Sequence, residues 1–302
     1  MDKAISFLRQ HDNYLLLTHR RPDGDTLGSA VALCAGLRSL GKTSYLWRNP
    51  EITSRYLPYT EPFFAPEGYA HEHTVAVDIA SKSLLGEGFD GRIHLRVDHH
   101  PNKAGYADIE YTEPSAAACG EVVMELLAAL GVPLTKEIAT PLYIAISTDT
   151  GIFRYSNTTA RTFRCAAALM ETGINLPALN TELFSKSRRR LAIETVVSEN
   201  IRYSAGDRVA VTSLSLKEKG TAAEDDLENL AGLAQGIQGV EVVLLLREEK
   251  GGWRVSCRVV KPYSARRICE ALGGGGHERA AGAEIKGKLT PEAARERALE
   301  AV

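Results

Sequence analysis

The stretch YLLLTHRRPDGD, residues 14–25, joins an apolar run directly to a histidine and two aspartates. The run YLLLT predicts a buried β-strand, and His19, Asp23 and Asp25 follow it before the helical pattern Thr26–Leu40. In a parallel α/β sheet, ligands bind beyond the carboxyl ends of the strands, where loops present side chains into a crevice. This stretch therefore predicts a polar site at the end of a buried parallel strand.

Strand-like runs alternate with helical patterns through the first half of the chain. Such alternation is typical of βαβ units and of an α/β fold with a parallel sheet. Pro141 is expected to kink or shorten the helix that contains it. The predicted strands are Tyr14–Thr18, Thr43–Trp47, Thr74–Asp78 and Ile93–Asp98, and the predicted helices are Thr26–Leu40, Ala116–Leu130, Lys136–Ile146 and Thr159–Glu171.

The pattern changes near residue 204, and the length of 302 residues fits two domains. The segment that begins with SKSRRR at Ser185–Arg190 predicts a connecting helix. We predict a first domain over 1–184, a connector helix over 185–204 and a smaller domain over 205–302. In the smaller domain, the predicted strands are Arg208–Leu216, Val240–Arg247 and Trp253–Val260, and the predicted helices are Asp225–Gly236, Ser264–Leu272 and one from Pro291.

Composition excludes several classes of protein. With 44% hydrophobic and 25% charged residues and no apolar run of about 18 residues, the sequence predicts a globular cytoplasmic protein, neither disordered nor membrane-spanning. The five cysteines are scattered without a CxxC pair, which argues against a disulfide framework or a thiolate zinc cluster. A formal charge of -2 excludes binding to nucleic acid by bulk attraction, so any phosphate site is local.

Carboxylates and imidazoles recur at the ends of the predicted strands. Asp78 ends one strand, Asp98-His99-His100 ends the next, and Asp149 follows a helix. Several carboxylates held together require cations, and mixed oxygen and imidazole ligands without thiolate suit Mn²⁺, Mg²⁺, Fe²⁺ or Co²⁺. A shared carboxylate can hold two ions about 3.5–4 Å apart. The simpler alternative is that such Asp residues only cap helices or form turns.

Five motifs together resemble the DHH phosphoesterase superfamily, and within it the nanoRNase/pAp phosphatase group. They are THRRPDGD at 18–25, VAVDIAS at 75–81, VDHHPN at 97–102, STDTGIFRYSNTTART at 147–162 and GGGGHERAAGAEI at 273–285. The last resembles the family's DHHA1 domain. The resemblance implies an N-terminal DHH domain with a parallel sheet flanked by helices, and a smaller C-terminal α/β DHHA1 domain with a mixed sheet.

The resemblance also implies a ligand set for two Mn²⁺ ions per active site, with Mg²⁺ or Co²⁺ as substitutes. One ion is assigned to His19, Asp23 and Asp78, and the other to Asp25, Asp78, His99 and Asp149. Asp78 bridges the ions, and the catalytic residues are Asp78, His99 and His100. His100 steadies a phosphate oxygen or tunes the site, and Asp98 orients a neighbouring histidine. Two such ions lower the pKa of a bridging water and clamp the phosphoryl oxygens.

The glycine-rich segment of the second domain is assigned to the substrate. The resemblance implies that Gly274, Gly275, Gly276 and His277 receive its nucleotide end, because residues without Cβ let backbone N–H groups approach a phosphate. Taken alone, glycines of this kind also suit a flexible loop. Arg258 and Arg279 are candidates to pair with phosphate, although exposed arginines commonly only solvate a surface.

The predicted function is a manganese-dependent phosphodiesterase that degrades very short oligoribonucleotides to mononucleotides and also takes the 3′-phosphate from pAp. Its partners are then short RNA or small nucleotides and no membrane. Cleavage polarity and oligomeric state stay open, a homodimer included. The nearest alternative is a phosphodiesterase for c-di-AMP or linear pApA. An alternative of another class is a non-catalytic nucleotide- or RNA-binding module, which we expect to have lost ligand positions that are all present here.

Overall fold

A computed structural model describes residues 1–86, 88–101, 104–227, 229–260, 262–276 and 278–302. The chain separates into two compact units, Met1–Ser185 and Lys186–Val302. The segment predicted as a connector contains a helix that belongs to the second unit. Among the described residues, no helix combines the length and the apolar character needed to cross a bilayer.

The first unit is a five-stranded parallel sheet with helices, in the strand order β2-β1-β3-β4-β5. This confirms the predicted parallel α/β fold, whereas β5 and α1 were not predicted. The strands are β1 Tyr14–Leu17, β2 Ser44–Leu46, β3 His73–Val77, β4 Ile93–Asp98 and β5 Ala107–Thr112, and the helices are α1 Asp2–Gln10, α2 Gly24–Ser39, α3 Leu57–Thr60, α4 Cys119–Leu130, α5 Lys136–Asp149, α6 Ala160–Glu171 and α7 Leu176–Phe184.

Both faces of this sheet are covered, as the apolar strands require. Leu16 and Val75 pack into the large cluster that includes residues of α2, α4 and α5. Leu15, Leu17 and Ala76 pack into a separate cluster. Because successive side chains of a strand point to opposite faces, an apolar run without alternation needs cover on both sides. The polar residues that follow these strands therefore begin at the rim of a closed core.

Helix α5 runs through Pro141 to Asp149, so the prediction that proline shortens this helix is wrong. Pro141 lies in the second turn, and the carbonyl that loses its partner there is that of Glu137, an exposed residue. Water can therefore satisfy that carbonyl, and the helix continues. Its length matters for the site, because Asp149 is its last residue.

Helices α2 and α5 pack tightly at Gly28, where a Cβ would lie 2.3 Å from the carbonyl oxygen of Pro141. We expect Gly28→Ala to destabilise the protein by about 1–3 kcal/mol, because the added methyl group meets backbone that cannot rotate away. Gly36 of the same helix is the matched control, since its Cβ would meet only the mobile end of Leu127. Urea unfolding measures both variants, and equal losses would contradict this account of the packing.

The second unit contains a six-stranded mixed sheet in the order β10-β11-β9-β8-β7-β6. Among the strands of the described residues, only β7 and β8 pair in parallel, which confirms the predicted mixed sheet. The strands are β6 Arg202–Ser204, β7 Val209–Leu214, β8 Val242–Glu249, β9 Gly252–Val259, β10 Gly275–Gly276 and β11 Ala280–Lys286, and the helices are α8 Arg188–Glu199, α9 Leu216–Lys219, α10 Gly232–Gln235, α11 Ala265–Ala271 and α12 Pro291–Leu299.

The continuous helix predicted over Asp225–Gly236 is wrong. The structure has a short 3₁₀ turn at Glu224–Leu227 and a single helical turn at Gly232–Gln235. Between them Asn229 has a φ of 47°, a left-handed conformation that interrupts a right-handed helix. The apolar residues Leu227, Leu230 and Ala231 are still buried. The spacing of apolar residues therefore indicated correctly which side chains are buried, but not that they lie on one helix.

Candidate metal centre

The ionisable residues at the ends of β1, β3, β4 and α5 lie together in the first unit. They form three groups in which one ligand atom from each residue lies within 4.8 Å of the others: Asp78, Asp98, His99 and His100; His19, Asp23 and Asp78; and Asp25, His99 and Asp149. Asp78 belongs to the first two groups, and His99 belongs to the first and third. The structure thus brings together all six residues predicted as ligands.

Asp78 is shared by two of these groups and is 4% exposed. Its backbone has a φ of 57°, and its N–H donates to the carbonyl of Val97 at 2.9 Å. The buried Oδ1 has no hydrogen-bond partner within the described residues, although His99 Nε2 and His100 Nδ1 each lie 3.5 Å from it. Burial, followed by the charges of Asp25 and Asp23, raises the pKa of Asp78 well above its ordinary value.

His19 and Asp23 form one side of the site, with Nε2 and Oδ1 3.6 Å apart. Asp23 is also the N-cap of α2 and accepts from the backbone N–H groups of Asp25 and Thr26. Asp23 therefore does cap a helix, but it does not only cap, because its carboxylate also lies beside His19 and Asp78. Burial opposes the charge of His19, yet Asp23 outweighs burial and raises the pKa of this imidazole.

Asp25 is held by the first turn of α4. Its carboxylate accepts from the backbone N–H of Cys119 at 2.7 Å, from that of Gly120 at 3.0 Å and from the Ser29 hydroxyl at 3.0 Å. A helix N-terminus suits an anion because its first N–H groups have no partner within the helix. Burial nevertheless raises the pKa of Asp25 to about 6 despite the nearby His99.

His99 connects Asp25 to Asp149. Its Nε2 lies 3.8 Å from a carboxylate oxygen of each residue, and its Nδ1 donates to the carbonyl of Ala116 at 3.2 Å. Burial and the charge of Asp25 raise the pKa of Asp149 to about 8. Although burial lowers the pKa of His99, the two carboxylates raise it above its ordinary value.

Asp98 orients His100, the kind of contact that the sequence analysis expected of it. Asp98 is fully buried, and its Oδ1 accepts from His100 Nδ1 at 2.6 Å. The same oxygen accepts from the backbone N–H groups of His99 and His100. Burial would raise the pKa of Asp98, but the hydrogen bond and charge of His100, together with the charge of Arg96, lower it.

These residues fit divalent metal ions. Burial raises the pKa of Asp25, Asp78 and Asp149, and neighbouring carboxylates raise the pKa of each further, so an added cation would relieve that repulsion. His19 and His99 use Nδ1 to bond backbone carbonyls, which directs Nε2 towards the carboxylates. This is the usual arrangement of metal-binding histidines. The orphaned Oδ1 of Asp78 is a further acceptor that a cation would satisfy.

Sequence reasoning missed Arg96, which supports the site, and the ion pair of buried Glu121 with Arg161. Arg96, inside β4, is fully buried and donates to Asp98. Glu121 of α4 is also fully buried, and Arg161 lies 3.2 Å from its Oε2. The available signal was a charged residue inside an apolar run, as in IHLRVD. Charged side chains are rarely buried without a partner, so such a residue predicts a specific buried contact.

The candidates in the second unit have structural partners of their own. Arg258 of β9 donates to the Cys257 carbonyl at 3.1 Å, and Arg279 donates to the Tyr263 carbonyl at 3.3 Å. A Cβ on Gly274 would lie 2.2 Å from the Gly282 carbonyl oxygen, so close packing of β10 on β11 also requires glycine there. Gly275 and Gly276 form β10 and are exposed. His277 lies outside the described residues.

Two family models match the chain. The model described as "DHH family, N-terminal domain" covers residues 13–146, and the model described as "DHHA1 domain" covers residues 206–302. A Thermus thermophilus protein named "Bifunctional oligoribonuclease and PAP phosphatase NrnA" is 36% identical over 95% of this chain and 88% of its own length. A Bacillus subtilis protein with the same name is 27% identical over 94% of this chain and 92% of its own.

Solved structures support the fold. A Bacteroides fragilis structure titled as an exopolyphosphatase-related protein has a TM-score of 0.87 and 23% identity, covering 99% of this chain and 95% of its own. RecJ from Thermus thermophilus, solved in complex with Mn²⁺, has a TM-score of 0.56 and 15% identity, and the match covers 99% of this chain but 54% of RecJ. At these identities the likeness concerns the fold alone.

Proposed function

The chain belongs to the DHH family and carries a DHHA1 domain, and we propose that it is a manganese-dependent phosphodiesterase for very short oligoribonucleotides that also dephosphorylates pAp. The observation that carries this proposal is the cluster of carboxylates and imidazoles centred on Asp78. The substrates come from the names of the relatives, oligoribonuclease and PAP phosphatase. The cytoplasmic location predicted from the sequence remains a prediction.

The groups in the structure suggest how two ions would be shared. His19, Asp23 and Asp78 would hold one ion, and Asp25, Asp78, His99 and Asp149 would hold the other. In support, Asp78 shares one group with His19 and Asp23 and another with His99, which in turn groups with Asp25 and Asp149. Bound Mn²⁺ would supply Lewis-acid polarisation of the phosphoryl group and a water of lowered pKa, and Mg²⁺ or Co²⁺ would be the nearest substitutes.

The chain's own residues orient the substrate and these ligands. The N-terminal amides of α4 hold Asp25, and the carbonyls of Arg20 and Ala116 orient the rings of His19 and His99. His100 uses Nδ1 to bond Asp98, so we assign its contact with a phosphate oxygen to Nε2. A group held by its neighbours before substrate binds needs little rearrangement when charge develops on the phosphoryl oxygens.

In the second unit we assign the nucleotide end of the substrate to the glycine-rich segment. Gly275 and Gly276 are exposed at the sheet edge formed by β10, and His277 follows them in the chain. Arg258 and Arg279 are the proposed phosphate contacts. The domain limits of 1–184 and 205–302 and the connector between them also remain proposals.

The direct test compares substrates with purified protein. We expect Mn²⁺ to support release of mononucleotides from 5′-labelled oligoribonucleotides of about two to five nucleotides, and EDTA to abolish it. Parallel rates on pAp, pApA and c-di-AMP distinguish the proposed activity from a dinucleotide phosphodiesterase. Binding of a dinucleotide without any turnover in Mn²⁺ would instead identify a non-catalytic module and refute the proposal.

A further inference from the structure

Arg96 has the largest fully buried side chain among the described residues. It lies in β4 between Leu95 and Val97, and its register partner on β5 is Glu110. A buried guanidinium loses its hydration, so it is retained only where fixed partners replace the water. Those partners show what Arg96 does in this fold.

One arm of the guanidinium holds the backbone beside Asp78. Arg96 Nε donates to the carbonyl of Ile79 at 2.9 Å, and the Tyr106 hydroxyl donates to the same carbonyl at 2.7 Å. Ile79 directly follows Asp78, whose φ of 57° is uncommon for a residue with a side chain. The hydrogen bond from the Asp78 N–H to Val97 holds the backbone before the Asp78 Cα atom, and the two donors to the Ile79 carbonyl hold it after. Together these bonds fix the conformation of Asp78.

The other arm holds the Asp-His-His segment. Arg96 Nη2 donates to Asp98 Oδ2, while Asp98 Oδ1 accepts from His100 Nδ1 and from the backbone N–H groups of His99 and His100. Glu110 Oε2 lies 3.7 Å from Arg96 Nη1, so a second carboxylate faces the guanidinium. The ring of His100 and the backbone of His99 are thus held by a carboxylate that Arg96 itself holds.

We propose that Arg96 is a positioning residue that fixes Asp78 relative to His99 and His100 by binding the two strand-end loops with a single planar group. The inference rests on the proposed metal centre and extends it to a residue that touches no ligand atom of an ion. A stabilising role alone would not require this geometry, because apolar residues commonly replace a buried ion pair without loss of stability. What apolar residues cannot do is donate to both loops at once.

Arg96→Lys tests this, because lysine keeps the charge but its single ammonium cannot reproduce the planar fork that spans Ile79 and Asp98. We expect Mn²⁺ binding by metal-free protein, measured from the electron paramagnetic resonance signal of free Mn²⁺ well below the unfolding temperature, to weaken about tenfold or more. Arg190→Lys is the matched control: Arg190 also donates to a carboxylate, Glu194, and to a backbone carbonyl, that of Asp225. This control is expected to bind Mn²⁺ as the wild type does.

The outcomes separate the two proposals. Wild-type protein that binds no Mn²⁺ would refute the metal centre, and this inference with it. Wild-type protein that binds Mn²⁺ with the same affinity as folded Arg96→Lys would overturn the positioning role alone. If Arg96→Lys does not fold, Tyr106→Phe removes only the second donor to Ile79, and we expect a loss of about two- to fivefold in affinity. An unchanged affinity in that variant would overturn the inference.

Discussion

Asp78→Asn is expected to abolish hydrolysis and to raise the melting temperature of the metal-free protein. The activity falls because an amide cannot replace a carboxylate shared between two ions. We expect kcat/KM to drop at least about a thousandfold, equivalent to roughly 4 kcal/mol of transition-state stabilisation. The measurement is mononucleotide release from a short oligoribonucleotide in excess Mn²⁺.

The gain in stability follows from the surroundings of Asp78. Its Oδ1 is buried and finds no hydrogen-bond partner among the described residues, and burial together with the neighbouring carboxylates raises the pKa of Asp78. Asparagine has nearly the same shape, carries no charge and tolerates the observed φ of 57°. We expect a gain of about 1–2 kcal/mol, or several degrees, by calorimetry in EDTA.

The control for Asp78→Asn is Asp108→Asn, which alters a carboxylate paired with exposed Arg92 near the start of β5, at the end of the strand opposite Asp98. It should leave both activity and melting temperature nearly unchanged, because exposed ion pairs contribute little. Retained activity in Asp78→Asn would show that Asp78 does not bridge ions. A lower melting temperature of metal-free Asp78→Asn would show that the Asp78 carboxylate does not destabilise the metal-free protein.

The site was predictable from the sequence because its geometry is a property of parallel sheets. His19, Asp78 and His99 follow three adjacent strands, β1, β3 and β4, whose carboxyl ends meet at one edge. Asp149 was harder to place, since it depends on α5 continuing through Pro141. Local patterns located the loops, and the order of the strands brought them together.

The supporting contacts were not predictable, because they depend on pairings distant in sequence. Arg96 became interpretable only once β5, which was not predicted, placed Glu110 beside it. Likewise, Gly274 is constrained by Gly282, a residue of β11 that the glycine pattern did not indicate. A single sequence reports which residues are apolar or charged, but the register between strands decides which of them touch.

Divalent metal is expected to stabilise the protein more at about pH 8 than at about pH 5.5. Asp25, Asp78 and Asp149 all have a raised pKa in the folded protein, with Asp25 at about 6 and Asp149 at about 8. A group whose folded pKa is raised contributes stability below its ordinary pKa and loses it as the pH rises through the folded value. The metal-free protein should therefore lose stability from about pH 4 to about pH 8.

The histidines act in the same direction. The pKa values of His19 and His99 are also raised, so their contribution is present below about pH 6.5 and is lost above it. Asp23 and Asp98 have lowered pKa values, and their contribution is lost only on acidification below about pH 4. Between about pH 5.5 and pH 8 the contributions of Asp23 and Asp98 are therefore constant and do not offset the loss of stability of the metal-free protein.

Calorimetry with EDTA or Mn²⁺ at each pH measures this prediction. An ion at about one hundred times its Kd contributes about 2.7 kcal/mol, which for a unit of this size is roughly 5–10 °C for each ion. The Mn²⁺-dependent shift should be small at the lower pH, because protons and metal compete for the same ligand atoms. In Asp78→Asn both the pH slope in EDTA and the Mn²⁺ shift should shrink, since the carboxylate shared by two of the groups is gone. A metal-free protein equally stable at both pH values would refute the view that repulsion among these carboxylates is relieved by bound cations.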